Sequence, residues 1–207
     1  MSTGPDSPAD ISRLAALTAP DPATMSRLHR RLEQAAEQAG ILDIAYTTVD
    51  SPVGTLLLAA TERGLVRVAY ASEGHDQVLD RLGRQLSHRI LSAPRRLDAA
   101  AFEIDEYFRR ARTRFDLPLD LSLSAGFRRT VQEYLPRIGY GTTQSYKQVA
   151  EFAGNPRAVR AAATACATNP LPIVVPCHRV LRADGTLGGY IGGLAAKSAL
   201  LDLEASR

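Results

Sequence analysis

The sequence contains little cysteine: Cys166 and Cys177 are the two thiols among 207 residues. Two thiols cannot build the framework of several disulfides on which small secreted domains depend. No apolar run reaches the length needed to cross a bilayer, and residues 1–6 lack the basic and apolar regions of a secretory signal. We therefore expect a protein of the reducing cytoplasm, a compartment in which a reactive thiol persists.

Lysine is also scarce, because 23 of the 25 basic residues are arginine. The formal net charge of +3 is unevenly distributed. Residues 126–207 carry ten basic and five acidic side chains, whereas the first 125 residues carry fifteen and seventeen. A basic C-terminal part suits a polyanionic partner such as nucleic acid, although a solvated surface would give the same balance.

The chain is long enough for one large domain or two small ones. Changes of pattern predict three parts: a helical extension over 1–42, an α/β domain over 43–120 and a third part over 121–207. In the extension, Ser7 and Asp21 each precede a proline, as N-cap residues do. Apolar residues at helical spacing predict a helix from Pro22 to Ala39, whose apolar stripe we expect to pack on the main body.

The second part begins with three runs of strand-forming residues separated by turns, at 44–49, 55–60 and 65–70. Such runs predict a three-stranded antiparallel meander. Helical spacing at 78–89 and 97–113 predicts two helices that cover one face of this sheet. The fold class is therefore α+β.

From Gly126 the pattern becomes mainly helical. The spacing predicts helices at 127–138, 146–152, 156–167 and 194–204. Ser145 and Asn155 can cap the second and third of these, and Pro156 suits a first helical position. Two helices joined by a tight glycine-containing turn indicate a helix-turn-helix. Its second helix is rich in alanine, so its backbone can approach either the protein core or a nucleic-acid groove closely.

The strongest chemical signal lies beside Pro176. Residues 173–175 predict a short buried strand that ends at this proline, which cannot donate to a sheet. Such a strand would hold Cys177 at the edge of the core. A lone cysteine is commonly a small buried hydrophobe, but a neighbouring histidine and arginine favour a reactive thiolate. Glu204 can orient His178 if it is buried, or it can be a solvated carboxylate at a helix end.

A wider pattern surrounds the cysteine. Its parts are Asn169-Pro170, Ile173-Val174-Val175-Pro176-Cys177-His178-Arg179-Val180, Gly189-Tyr190, Gly193-Leu194, Lys197, Leu200-Leu201 and Glu204. This pattern resembles the O6-alkylguanine-DNA alkyltransferase family. The likeness extends from about Ile44 to Glu204 and is most specific from Phe127 onward. It implies a ribonuclease H-like N-terminal domain and a mostly helical C-terminal domain that resembles a winged helix-turn-helix.

The resemblance implies direct DNA repair by a protein that acts once. Family members place a helix-turn-helix in the minor groove of duplex DNA and rotate the damaged nucleotide into a pocket. They move the alkyl group of O6-alkylguanine, and that of O4-alkylthymine, onto their own cysteine. We expect a monomer and no cofactor. Some relatives hold zinc in the N-terminal domain, but no cysteine lies there in this chain, so no metal is predicted.

The resemblance also assigns roles to individual residues. Cys177 would accept the alkyl group, His178 would act as a base through a water, and Glu204 would orient the imidazole. The other catalytic positions would be Asn169 as a brace, Tyr146 as a donor to the leaving guanine, and Lys197 as a stabiliser of its anion. The implied DNA-binding residues are Arg160, which would replace the flipped base, with Tyr146, Arg157, Ala161, Ala162 and Thr164. The implied pocket residues are Tyr190, Ile191 and Val180.

Two other functions are compatible with parts of the pattern. A protein that binds damaged DNA without transferring the alkyl group would need the helix-turn-helix but not Cys177. A Cys-His hydrolase unrelated to DNA would need neither Arg160 nor the basic C-terminal part.

Overall fold

The computed structural model describes residues 21–205. It divides into two compact units, with the boundary between Ile41 and Leu42. In the first unit, α1 (Pro22–Gln38) is capped by Asp21, whose carboxylate accepts hydrogen bonds from the backbone of Ala23 and Thr24. The predicted helix is thus confirmed. The N-cap predicted at Ser7 lies outside the described residues, and the packing of the α1 stripe on the main body stays a prediction.

The second unit begins with the predicted meander. Strands β1 (Ile44–Val49), β2 (Leu56–Thr61) and β3 (Gly64–Tyr70) pair antiparallel in sequence order. The prediction of three strands is incomplete, because β4 (Ile90–Ser92) pairs parallel with β1 and makes the order β3-β2-β1-β4. Three residues are too few for an alternating pattern to be recognised in a sequence.

Two helices accompany this sheet, and both are shorter than predicted. Helix α2 (His75–Gln85) ends before β4 begins, and α3 (Asp98–Phe108) follows a 3-10 turn at Pro94–Leu97. The core that the sheet shares with α2 consists of Ile44, Leu57, Ala59, Val66, Ala69, Val78 and Leu82. At the start of β3, a Cβ on Gly64 would lie 2.1 Å from the Pro118 carbonyl oxygen, so glycine is needed for this close approach.

The C-terminal part is mainly helical, as predicted. Helix α4 (Gly126–Tyr134) gives way to a 3-10 turn at Leu135–Arg137, because Pro136 cannot donate the next helical hydrogen bond. Helix α5 (Tyr146–Phe152) has the predicted Ser145 cap. Helix α6 (Val159–Ala167) and helix α7 (Gly193–Ala205) follow.

Two predictions in this part are wrong. Helix α6 starts at Val159 rather than Pro156, because residues 155–158 form a turn closed by the Ala158 N–H and the Asn155 carbonyl. Residues 173–175 form a buried turn and not a strand. Ile173 has a φ of 74°, and Cys177–Arg179 form a 3-10 helix. Prolines before and after the turn remove donors that a sheet would need.

Short strands complete this part, because β5 (Gln144–Ser145) and β6 (Val180–Leu181) pair in parallel. The pair ties the residues just before α5 to those that follow the Cys177 turn. Among residues 21–205, no helix is both long and apolar enough to cross a bilayer.

Candidate active site

Cys177 lies at the start of the 3-10 helix and is 1% exposed. Asn169 braces the turn before it. The Asn169 side-chain amide donates to the Val175 carbonyl at 2.8 Å and to Cys177 Sγ at 3.2 Å, and its oxygen accepts from the Leu171 N–H at 3.0 Å. All hydrogen-bonding groups of this buried amide are therefore used to hold the turn and the sulfur together.

The resting sulfur is a thiol. Burial raises the pKa of Cys177 to about 11, although the hydrogen bond from Asn169 and the charge of Lys197 act in the opposite direction. These groups favour the thiolate, but desolvation of the sulfur outweighs them, and the reactivity expected from the neighbouring histidine and arginine stays a prediction. A base is needed to generate the nucleophile.

His178 is the candidate for such a base. Its Nε2 lies 2.9 Å from Glu204 Oε1, and its ring meets the Tyr190 ring edge to face. Burial lowers the pKa of His178, and the hydrogen bond from Nε2 to Glu204 opposes this effect. The imidazole is thus neutral near pH 7, with the proton on Nε2 and a free acceptor at Nδ1. His178 Nδ1 is buried and has no hydrogen-bond partner in the described part of the chain.

Glu204 is 3% exposed, which excludes the alternative of a solvated carboxylate. Arg179 binds both of its oxygens, and the Tyr107 hydroxyl donates to Oε1 at 2.7 Å. The Gly141 N–H donates to Oε2 at 3.1 Å. Burial would raise the pKa of Glu204, but the hydrogen bonds from His178 and Arg179 outweigh it and lower the pKa to about 2. Glu204 is therefore an anion throughout the physiological range.

Sequence reasoning missed the contribution of Arg179 and Tyr107 to this cluster. Arg179 is part of the motif around Cys177. Because Glu204 was predicted to lie beside His178, an ion pair between Arg179 and Glu204 could have been predicted as well. No pattern in the sequence indicates Tyr107, because it lies in α3, 97 positions before Glu204.

Lys197 and Tyr146 are two further predicted site residues in the surroundings of Cys177. The Lys197 ammonium is buried, donates to the Val180 carbonyl at 2.6 Å and lies 5.9 Å from the centre of the Tyr146 ring. Burial lowers the pKa of Lys197, and negative charge on Cys177 or Cys166 opposes this effect. Burial raises the pKa of Tyr146 to about 12, so this phenol remains a donor. A Cβ on Gly188 would lie 2.2 Å from the Tyr146 hydroxyl, which explains why glycine is needed there.

The predicted pocket residues occupy different surroundings. The Tyr190 hydroxyl lies 2.9 Å from that of Tyr70. Val180 is fully buried and holds Lys197 through its carbonyl. Ile191 lines a cavity of about 400 Å³ together with Arg67, and Cys177 is not one of the lining residues. The role of Ile191 as a pocket wall stays a prediction.

The surface of α6 carries most of the predicted DNA-binding residues. Arg160, Ala161 and Thr164 are exposed on the helix, and Arg157 is exposed in the preceding turn. Ala162 is fully buried, so its prediction as a DNA contact is wrong: the helix turns this side chain toward the core. A groove of about 370 Å³ connects the exposed side of α6 with Tyr146 and is lined by Tyr146, Ala163, Thr164, Ala167, Arg182, Gly188 and Gly189.

No group of three or more histidine, cysteine, aspartate or glutamate residues that could hold a metal ion occurs within residues 21–205. The expectation that the protein needs neither metal nor cofactor stays a prediction.

Two family models match the chain. Residues 44–121 match the ribonuclease-like domain of 6-O-methylguanine DNA methyltransferase, and residues 126–206 match the DNA binding domain of the same family. Both matches agree with the predicted fold class. The boundaries predicted at 42 and 120 stay predictions.

Curated and solved relatives agree with these matches. A methylated-DNA--protein-cysteine methyltransferase of Mycolicibacterium paratuberculosis is 42% identical over 78% of this chain and 92% of its own length. The human protein of the same name is 34% identical over 80% and 82%. A crystal structure of Mycobacterium tuberculosis OGT in complex with DNA has a TM-score of 0.68 and 37% identity, covering 78% of this chain and 93% of that one.

The fold and the cysteine site thus define a DNA-binding protein of the methyltransferase class. More narrowly, the chain belongs to the methylated-DNA--protein-cysteine methyltransferase family.

Proposed function

We propose that this protein repairs DNA by moving the alkyl group of O6-alkylguanine, and that of O4-alkylthymine, from duplex DNA onto Cys177 in a single turnover. The observation that carries the proposal is a buried cysteine, braced by Asn169, next to a histidine that is hydrogen-bonded to a buried glutamate. The protein acts as a monomer in the cytoplasm and needs no cofactor.

The reaction begins with a proton transfer. His178 Nδ1 accepts the proton of the Cys177 thiol through a water, and Glu204 stabilises the imidazolium that forms, since its carboxylate already faces Nε2 at 2.9 Å. This step supplies a thiolate from a group whose pKa of about 11 keeps it protonated at rest.

The alkyl transfer follows as an in-line displacement. The sulfur forms a bond to the alkyl carbon, and the bond from that carbon to guanine O6 breaks with its electron pair. Tyr146 donates a hydrogen bond to the leaving guanine, and Lys197 stabilises the negative charge that passes from sulfur to base. The product is a stable thioether, so one chain repairs one lesion.

DNA binding depends on α6. Small side chains at Ala161 and Thr164 let this helix approach the minor groove, where Arg160 fills the space left by the flipped nucleotide. Arg157 and Tyr146 contact the backbone beside it. The groove between α6 and Gly188 suits the path of the rotated nucleotide toward Tyr146. Tyr190, Val180 and Ile191 form the pocket that receives its base.

The mass of the protein tests this proposal directly. We expect incubation with duplex DNA bearing O6-methylguanine to add one methyl group to each chain, located on Cys177 by peptide mapping. A duplex bearing O4-methylthymine tests the second substrate. Release of many demethylated guanines per chain would contradict a single turnover and would favour a hydrolytic or catalytic mechanism. Lesion binding without any mass gain would favour a protein that only recognises damage.

Replacement of Arg160 by alanine tests base flipping. We expect the methylation rate on duplex DNA to fall on the order of tenfold or more, because the cost of unstacking a base, a few kcal/mol, is no longer offset. The loss should be smaller on a single-stranded oligonucleotide, in which the base is already accessible. Rates are measured by single-turnover quench with protein in excess.

The matched control is Arg109→Ala, which removes an exposed arginine at the C-terminal cap of α3 that forms an ion pair with the exposed Asp105. It should leave both rates unchanged. If Arg160→Ala lowered the methylation rate equally on duplex and single-stranded DNA, the flipping role would be contradicted. The role left for Arg160 would be general electrostatic attraction to DNA.

A further inference from the structure

Glu204 is held by a residue from a distant part of the chain. Tyr107, in α3, donates its hydroxyl to Glu204 Oε1 at 2.7 Å. The same oxygen faces His178 Nε2 at 2.9 Å. Tyr107 is fully buried, and its ring is fixed by edge contacts with Phe108 and Tyr140. A donor from the ribonuclease-like part of the chain therefore shares one carboxylate oxygen with the imidazole of the active site.

We infer that Tyr107 is a positioning residue that sets the proton affinity of His178 through Glu204. The inference rests on the proposed function, because it concerns the base that activates Cys177. It gives the N-terminal part of the second unit a direct role in the chemistry, beyond that of a packing partner for the C-terminal part.

The physical reason is competition for one oxygen. A carboxylate oxygen that accepts several hydrogen bonds has less charge available for each of them. Oε1 accepts from Tyr107, from Arg179 and from His178, while Oε2 accepts from Arg179 and from the Gly141 N–H. The Tyr107 hydroxyl therefore weakens the hold of Glu204 on the Nε2 proton and keeps His178 from becoming too strong a base.

Tyr107 is suited to this task because it remains a neutral donor. Burial and the charge of Glu204 both raise the pKa of its phenol, so it does not ionise in the working range. Its hydroxyl also fixes the position of Oε1, which keeps the carboxylate aimed at the imidazole.

Other groups that face His178 raise or lower its pKa in known directions. Burial lowers its pKa, as do the charges of Arg179 and Lys197, whereas Glu204 raises it. Tyr190 contributes an aromatic ring contact. Tyr140, beside Glu204, donates its hydroxyl to the Leu203 carbonyl and not to the carboxylate. Removal of the Tyr107 hydroxyl alone therefore leaves these influences in place and strengthens the pull of Glu204, so the pKa of His178 should rise.

The test is Tyr107→Phe. The transfer rate needs neutral His178, so its acid limb reports the pKa of this group. We expect the limb to move to higher pH by roughly half a unit to one unit, while the rate on the alkaline side stays within a few fold. NMR titration of the His178 ring should show the same upward shift, and this reading does not depend on activity.

Tyr140→Phe is the matched control, because it removes a neighbouring hydroxyl that donates to the Leu203 carbonyl instead of the Glu204 carboxylate. It should leave the acid limb and the NMR titration unchanged. In a Glu204→Gln background, the Tyr107→Phe change should no longer alter the His178 titration, because the charge through which it acts is absent. If Tyr107→Phe does not fold, 3-fluorotyrosine at position 107 takes its place: its more acidic hydroxyl donates more strongly to Glu204 and should lower the pKa of His178, and an unchanged titration would overturn the inference.

The outcomes separate the two proposals. No methyl uptake by the parent protein would refute the proposed function, while the NMR titration still tests the coupling. Normal uptake with an unmoved acid limb in Tyr107→Phe, or an equal shift in Tyr140→Phe, would overturn the positioning role. A shift that persists unchanged in the Glu204→Gln background would show that Tyr107 does not act through the carboxylate.

Discussion

Replacing Cys177 by alanine should abolish methyl uptake while leaving the affinity for damaged duplex DNA intact. The sulfur is the atom that forms the new bond, and no other group in the proposed mechanism can take its place. The proposed DNA contacts come from α6 and the turn before it, which do not depend on the thiol. Intact mass measures the uptake, and a gel-shift titration with O6-methylguanine duplex measures the affinity.

Cys166→Ala is the matched control, because Cys166 is the other buried cysteine and lies on α6. It should gain one methyl group per chain, as the parent does. Uptake by Cys177→Ala equal to that of the parent would show that the acceptor lies elsewhere. Loss of uptake in Cys166→Ala with an unchanged fold would give that thiol a part in the reaction.

Replacing Glu204 by glutamine should destabilise the protein by roughly 3–5 kcal/mol, because it leaves the buried Arg179 charge without its partner. Methyl transfer should also slow strongly, since the imidazolium of His178 loses the anion that stabilises it.

The contribution of Glu204 to stability depends on pH with a definite sign. The pKa of Glu204 is lowered from 4.5 to about 2, so its contribution to stability is present above pH 4.5 and is lost as the pH falls through 2.

Urea unfolding followed by circular dichroism measures this effect, since the chain contains no tryptophan for fluorescence. The difference in the free energy of unfolding between parent and variant should shrink as the pH falls from 4.5 toward 2. Glu151→Gln is the matched control, because Glu151 is half exposed and pairs loosely with Lys147. It should change stability by less than about 1 kcal/mol. A similar small change in Glu204→Gln would mean that the buried cluster contributes little.

Local patterns predicted much of the fold. Asp21 and Ser145 cap their helices as expected, because capping depends on a side chain and backbone only two or three residues apart. The meander of β1 to β3 was also predicted correctly, since turns of two to six residues force neighbouring strands to pair. The errors lie where tertiary contacts override the local pattern. Residues 173–175 are apolar because they are buried in a turn, and an apolar run alone cannot distinguish a buried turn from a buried strand.

The motif around Cys177 predicted the candidate site from the sequence alone. Cys177, His178 and Asn169 lie within ten residues, so their proximity follows from the chain itself. The alanine-rich helix was likewise predicted, but the sequence did not predict which of its alanines are exposed. Ala162 is buried because the start of α6 at Val159 sets the phase of the helix.

The sequence by itself thus determined the family and most of the helices and strands, and it predicted the reactive residues, because each of these is carried by residues close together in the chain. Only the tertiary structure decided the electrostatics of the site. The pKa values of Cys177 and Glu204 depend on burial and on the distances to groups from other elements. Tyr107 reaches Glu204 across 97 positions of sequence, and a contact of that kind exists only once the sheet, α3 and α7 have packed together.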